Sequence, residues 1–347
     1  PMSMIRSILP MAVWWYVTPD PTPTDMHIVN PWMNGRSWPW LKDRWAAEQL
    51  DPAGLTYRIP NFLNDEEIKH ILSGVRPLVN MSQDSSTFAI SPLCGAGLAD
   101  APHTSRHRDA KAYCDELSPL QQADKVLLKI EHRIAELIGI PFHDFESPLY
   151  LAHVRPPPEG EAYSGSYLPS GAMHHDLHVR PNRTATLTVF LTGEDEMWVE
   201  DGEIMGERLS GGSMMFPCVQ PWSSDDDVAA FSSSSSPEPA LVQACSRLTD
   251  KFEQQGLRYL PHPLSDAAAT VDSPDPEMAT LASDLCTASS APGALRVVPR
   301  RGDALLTLVV HPETGEAFPQ MFNAVCPAER GHKWTIHKYK ETMQHYV

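Results

Sequence analysis

Basic charge is scarce in this 347-residue chain: 27 lysines and arginines stand against 44 aspartates and glutamates, a formal net charge of −17. Phosphate binding needs basic surface, so the balance argues against a nucleic-acid partner. Cysteine is sparse too. Cys94, Cys114, Cys218, Cys245, Cys286 and Cys326 are scattered and none forms a C-x-x-C pair, which argues against a structural zinc and against a disulfide framework. An even number permits disulfides in an oxidising compartment without requiring them. Long hydrophobic runs are missing: the apolar stretch at 8–17 is interrupted by Pro10 and falls short of the ~20 residues of a membrane span. It reads as a segment packed on the domain in preference to the remnant of a signal or anchor. Gly211-Gly212 is a tight turn with no helix after it, hence no phosphate cradle. The acidic run 225–227 lacks the spacing of a calcium loop. What remains, 42% hydrophobic and 20% charged residues, is ordinary for one large domain or two small ones.

Residues 1–54, rich in tryptophan and proline and without clear periodicity, read as an extended arm over a main domain at 55–347. A strand is expected at 55–59. Asn64 then caps a helix whose first turn holds Asp65, Glu66 and Glu67, where the helix dipole favours acids. A second helix is signalled by Ser118 as N-cap, Pro119 at the first position, and the stripe Val126, Leu127, Ile130, Ile134, Leu137 and Ile138; Gly139 and Pro141 end it. From Pro148 the pattern changes to short β-runs at 149–154, 184–191, 197–199, 213–216, 295–298, 304–310 and 333–339, separated by glycine turns. Helices followed by many short strands imply an α+β fold, a double-stranded β-helix or jelly-roll barrel with supporting helices packed outside. The serine-, aspartate- and proline-rich stretch at 218–293 reads as a low-complexity insertion between two strands, a surface loop in preference to a lid, with a short helix over 248–255 ended by Gly256.

The segment His174-His175-Asp176-Leu177-His178 carries the chemistry. On an extended strand a histidine and an aspartate one residue apart point the same way, and an imidazole with a carboxylate suits a divalent iron. In a chain with 15 histidines an H-x-D triplet alone is a weak signal. His175 is expected to face away and pack, and His178 to lie at the surface or behind the site. Trp334 and Phe322 read as core aromatics, and Cys326 as a buried hydrophobe.

The order of blocks is what gives the triplet weight. Tyr57-Arg58-Ile59-Pro60-Asn61-Phe62-Leu63, the helix of 130–135, His174-x-Asp176, Arg183-Thr184-Ala185-Thr186-Leu187, Gly211-Gly212-Ser213, Arg301-Gly302-Asp303-Ala304 and Cys326-Pro327 through Lys333-Trp334 together resemble the prolyl 4-hydroxylase branch of the Fe(II)/2-oxoglutarate-dependent dioxygenases. The resemblance implies that His174 and Asp176 ligate iron, that Lys333 pairs with the distal carboxylate of 2-oxoglutarate, and that Tyr163, or Tyr167 in its place, touches that cosubstrate. One position departs. The family's second histidine ligand stands ten residues before the lysine, where this chain has Asn323, a neutral and poorer donor to Fe(II). Either Asn323 serves as the third ligand, or His311 or His332 substitutes, or oxygen chemistry is lost.

The expected function is therefore an Fe(II)/2-oxoglutarate-dependent oxygenase that hydroxylates an unactivated C–H, with Fe(II), 2-oxoglutarate and O2 as cofactors and ascorbate as an additional one to consider. By resemblance the substrate is a prolyl residue of a peptide or protein, and a small molecule is the alternative. The competing expectation is a catalytically impaired relative that binds a peptide or another subunit. By resemblance the compartment is the endoplasmic reticulum lumen or secretory pathway; otherwise it is the cytoplasm.

Overall fold

A computed structural model describes residues 37–81, 88–93, 124–140, 149–154, 156, 173–179, 183–194, 199–200, 203–204, 208–220, 239–254, 276–287, 293–310 and 316–341. In chain order its first half comprises α1 (Ser37–Trp45), β1 (Glu48–Gln49), β2 (Thr56–Ile59), α2 (Asp65–Met81), β3 (Phe88–Leu93), α3 (Lys125–Ile138), β4 (Leu149–Val154), α4 (Asp176–Val179) and β5 (Arg183–Phe190). The hairpin β6 (Val199–Glu200) and β7 (Glu203–Ile204) leads to β8 (Ser210–Gly211) and β9 (Met214–Phe216). Then come α5 (Pro239–Gln254), α6 (Pro276–Thr287), β10 (Leu295–Val297), β11 (Ala304–Leu308), β12 (Ala324–Val325), β13 (Ala328–Arg330) and β14 (Lys333–Glu341).

Seven strands form one antiparallel sheet in the order β1-β2-β11-β5-β14-β4-β3. Its two faces differ because the central strands alternate. Leu187, Val189, Leu306, Trp334, Ile336 and Leu151 point to one side and pack on Ile68, Ile71 and Leu72 of α2 and Ile130, Ile134 and Leu137 of α3. Thr186, Thr188, Thr335, His337 and Tyr339, of which Thr186 pairs with Tyr339 and Thr188 with His337 across β5 and β14, point to the other. A three-stranded sheet, β10-β9-β12, covers part of that second face: Met214, Phe216, Leu295 and Val297 meet Phe190 and Leu305 of the large sheet. The result is mixed helix and antiparallel sheet in layers. The expected closed jelly roll is not shown among the described residues.

Helix α2 begins with a reciprocal capping box: the Glu67 backbone N–H donates to Asn64 Oδ1 (2.9 Å) and the Asn64 N–H donates to Glu67 Oε2 (3.2 Å). Arg133 on α3 clamps the same glutamate from Nη1 (2.8 Å) and Nη2 (2.5 Å). Lys338 of β14 reaches Glu131 of α3 at 2.8 Å, so helix and sheet are tied by charge as well as by apolar contact.

Five expectations change. The described helix starts at Lys125, and its cap is Asp124, whose carboxylate accepts from the N–H groups of Val126 and Leu127; Ser118 lies outside the described residues. The end of the arm is a helix, α1, because Leu41 and Trp45 find apolar partners in the main core. Within 218–293 the described residues include two helices, α5 and α6, which bury Leu241, Leu248, Phe252, Ala282 and Leu285 against Met215, Phe322 and Ala324. Cysteine does bond here: Cys218 with Cys245 and Cys286 with Cys326, which fastens both helices to the small sheet. Cys326 is thus a disulfide partner rather than a free buried thiol. Finally, the strand carrying the histidines is short: His174 makes an isolated bridge, and the chain turns helical at Asp176.

Candidate functional site

The site is built where the ends of the small sheet meet the polar face of the large one. His174 and Asn323 face each other as a closely hydrogen-bonded antiparallel pair, each N–H donating to the other's carbonyl at 2.9 Å. Directly opposed residues of such a pair project to the same side, so Asn323 stands beside His174. One residue past His175, the first turn of α4 swings Asp176 back. The Asp176 Oδ1 lies 3.6 Å from His174 Nε2, a gap too long for a hydrogen bond, and strand alternation no longer extends to His178. His174, with 31% of its side chain exposed, is open, whereas Asp176 and Asn323 are buried.

Two neighbours from β5 fix Asp176. Arg183 Nη1 donates to Oδ1 at 2.9 Å and Thr186 Oγ1 to Oδ2 at 2.6 Å. Arg183 is itself held flat on Tyr339, its guanidinium carbon 3.5 Å from the ring centroid. Burial alone would raise the Asp176 carboxyl, but the charge of Arg183, the nearby His174 and the Thr186 hydroxyl outweigh it, and the group is held well below the usual carboxylate range. Asp176 is therefore an anion with a fixed orientation, the state in which a carboxylate can ligate a cation.

Lys333 opens β14 on the polar face and is 2% exposed. Among the described residues its ammonium has no carboxylate partner. Its Nζ stands over the Phe190 ring, 5.7 Å from the centroid, and burial pushes its pKa down to about 7. Gly212 makes room for the stem. Its φ is +72°, and a Cβ there would lie 3.0 Å from Lys333 Cδ.

Between lysine and aspartate runs a polar floor. His337 Nδ1 is 3.1 Å from Thr188 Oγ1 and His337 Nε2 is 2.9 Å from Thr335 Oγ1, and Tyr339 stacks on the same imidazole with centroids 6.3 Å apart. Burial, followed by the charge of Lys333, presses the His337 pKa down to about 3, so this histidine is neutral. His337 and Tyr339 are nevertheless only half-buried.

Other expected residues are placed elsewhere. His175 is buried away from the site: Nε2 donates to the Phe318 carbonyl (2.9 Å), Nδ1 accepts from the Leu177 N–H (3.2 Å), and Phe252 of α5 packs on its ring at 4.3 Å. His332 pairs with His153 at 2.7 Å, and His153 stacks on Trp334 on the helix-facing side of the sheet. His332 is therefore not brought to Asn323. Tyr163, Tyr167 and His311 lie outside the described residues. Sequence reading missed the roles of Arg183, Thr186 and His337, although the alternation Arg183-x-x-Thr186-x-Thr188 and Lys333-x-Thr335-x-His337 puts the threonines and His337 on one face. Among the described residues no group of three or more His, Cys, Asp or Glu side chains is poised for a metal.

No family model matches the chain, and no curated protein matches it. Several solved structures are similar. The 2OG complex of the viral collagen prolyl hydroxylase of Paramecium bursaria Chlorella virus-1 is 13% identical, over 84% of this chain and 97% of that one, with a TM-score of 0.38. A prolyl hydroxylase of Trichoplax adhaerens in complex with a hypoxia inducible factor peptide fragment is 11% identical, over 82% and 83%, with a TM-score of 0.34. The prolyl-4-hydroxylase of Pseudomonas putida is 12% identical, over 83% and 93%, with a TM-score of 0.33.

Proposed function

We propose that this chain binds 2-oxoglutarate between Lys333 and the His174–Asp176 pair, binds Fe(II) at that pair, and hydroxylates an unactivated C–H, by resemblance that of a prolyl residue in a peptide or protein. One observation carries the reading: a buried ammonium without a counter-charge among the described residues shares a polar sheet face with a fixed carboxylate and its neighbouring imidazole. A dicarboxylate fits that orphaned charge, since burying an unpaired cation is costly and an anion offsets the cost. Iron fits at two protein positions, His174 and Asp176, with the Asn323 oxygen as a weaker third donor. Bound there with 2-oxoglutarate, it supplies activation of O2 for attack on a C–H bond. The chain's own residues do the rest. Arg183 and Thr186 keep Asp176 ionised and aimed, and Lys333 fixes one end of the cosubstrate, removing rotational freedom before reaction. The two disulfides support an oxidising, secretory compartment over the cytoplasm.

Asn323 favours a second reading, a relative that keeps the scaffold and binds a peptide or a subunit without turnover. A small-molecule substrate for the oxygenase remains the alternative within the first. Anaerobic protein given Fe(II) and 2-oxoglutarate is expected to show the weak visible charge-transfer band of a chelated centre and, in air, to form succinate. Absence of both in the native sequence overturns the oxygenase reading. Asn323→His should tighten Fe(II) binding at least about tenfold, the worth of roughly 1.4 kcal/mol from an imidazole ligand. Unchanged affinity would mean that Asn323 is not beside the metal. Activity gained only in that variant would establish the binding role for the native chain.

A further inference from the structure

We propose that His337 is a positioning residue for the cosubstrate: bridging Thr188 and Thr335, it turns the Thr335 hydroxyl toward Lys333, so that hydroxyl and ammonium together hold one carboxylate of 2-oxoglutarate. The proposal rests on the cosubstrate reading above.

Counting protons leads to it. A neutral imidazole has one N–H and one acceptor nitrogen, and each threonine brings one O–H. The trio therefore owns three donors and makes two hydrogen bonds, Thr188 to Nδ1 and Thr335 to Nε2. One hydroxyl hydrogen is left over. Neither threonine has another side-chain partner among the described residues, and both are buried, where an unspent donor is expensive.

Position decides which hydroxyl it is. Thr335 lies two residues from Lys333 on the same strand face, about 6.6 Å between Cα atoms. Its partner across the sheet is Phe190, the residue whose ring the Lys333 ammonium approaches. Thr188 stands two residues farther along β5, next to Thr186 and hence toward Asp176. An anion drawn to Lys333 meets Thr335 first. The arrangement is then a directed chain: the Thr188 O–H donates to Nδ1, the Nε2–H donates to Thr335 Oγ1, and the Thr335 O–H donates to the carboxylate. His337 acts through Thr335 and need not touch the ligand.

The test is anaerobic calorimetry with Fe(II) present, titrating 2-oxoglutarate and 2-oxopentanoate, the same five-carbon keto acid without the distal carboxylate. The quantity read is the ratio of the two affinities. A charge-assisted hydrogen bond predicts that Thr335→Val and His337→Phe each cut the ratio about tenfold or more, while 2-oxopentanoate binds as before. A merely structural role would weaken both ligands alike; that result, or an unchanged ratio in both variants, overturns the proposal. Thr335→Val conserves shape and keeps the test decisive should His337→Phe fail to fold. A native protein that does not prefer 2-oxoglutarate to 2-oxopentanoate overturns the cosubstrate reading itself, which separates the two failures.

Discussion

Replacing Lys333 by methionine removes a charge while nearly conserving the length of the side chain, and its effect on stability follows from where that charge sits. Burial moves the ammonium from its ordinary 10.5 to about 7. At about 1.4 kcal/mol for each pH unit the displacement corresponds to roughly 5 kcal/mol, and relaxation and water entry reduce it to about 2–3 kcal/mol. The folded value is lower than the unfolded one. As pH falls through 10.5 the unfolded chain takes up a proton that the folded chain refuses until about 7, so native stability declines across that window and is level below it. Lys333→Met has no such group. Its advantage should be near zero at pH 10.5, grow as pH falls, and reach about 2–3 kcal/mol by pH 7. Urea unfolding followed by tryptophan fluorescence at a series of pH values measures this directly. Saturating 2-oxoglutarate should raise the midpoint of the native protein and leave that of the variant unmoved. An advantage that does not change with pH, or a variant less stable than the native chain at pH 7, would refute the reasoning that Lys333 is buried without a counter-charge among the described residues.

Glu67→Gln tests the clamp between α2 and α3. The Arg133 hydrogen bond holds this carboxyl at about 2 instead of 4.5; the lowered value means its contribution is complete above 4.5 and disappears as pH falls to about 2. The variant should lose about 1–2 kcal/mol at pH 7, after allowance for solvent screening, and nothing near pH 2. An equal loss at both pH values in chemical unfolding would rule the clamp out. Replacing Cys286 and Cys326 together by serine opens a link between residues 40 apart, worth about 3–4 kcal/mol by chain entropy; a loss under about 1 kcal/mol by urea unfolding would show that packing alone holds α6.

Much of the scaffold is legible in the sequence because it depends on local periodicity. The stripe along α3, the Asn64 cap with its acidic first turn, and the alternation of β5 and β14 each reflect a pattern set within a few residues. What was not legible depends on distant partners. Asp124 is recognisable as the cap of α3 only once its carboxylate is seen to meet both N–H groups and His70. The helices of 218–293 are hidden by serine and aspartate around them and are held by cysteines whose pairing no spacing reveals. For the site, His174, Asp176, Asn323 and Lys333 were nameable through their motifs. The turn that brings Asp176 back onto Arg183 was not, since the triplet alone suggests a continuous strand. His337 could have been found by counting every second residue from Lys333, but a single histidine among 15 gives no reason to choose it.

The two-sided character of the seven-stranded sheet has a bearing on how such a chain can change over time. Folding is secured by the leucines, isoleucines and valines that lean on α2 and α3, whereas the candidate site belongs to side chains on the opposite surface of the same strands and to the chain ends above it. Asn323 is not among the residues of the helix-facing interior, so a substitution there removes no contact from it. The architecture therefore imposes little thermodynamic penalty on exchanges at the candidate site, whose side chains can be replaced while the body that carries them stays the same.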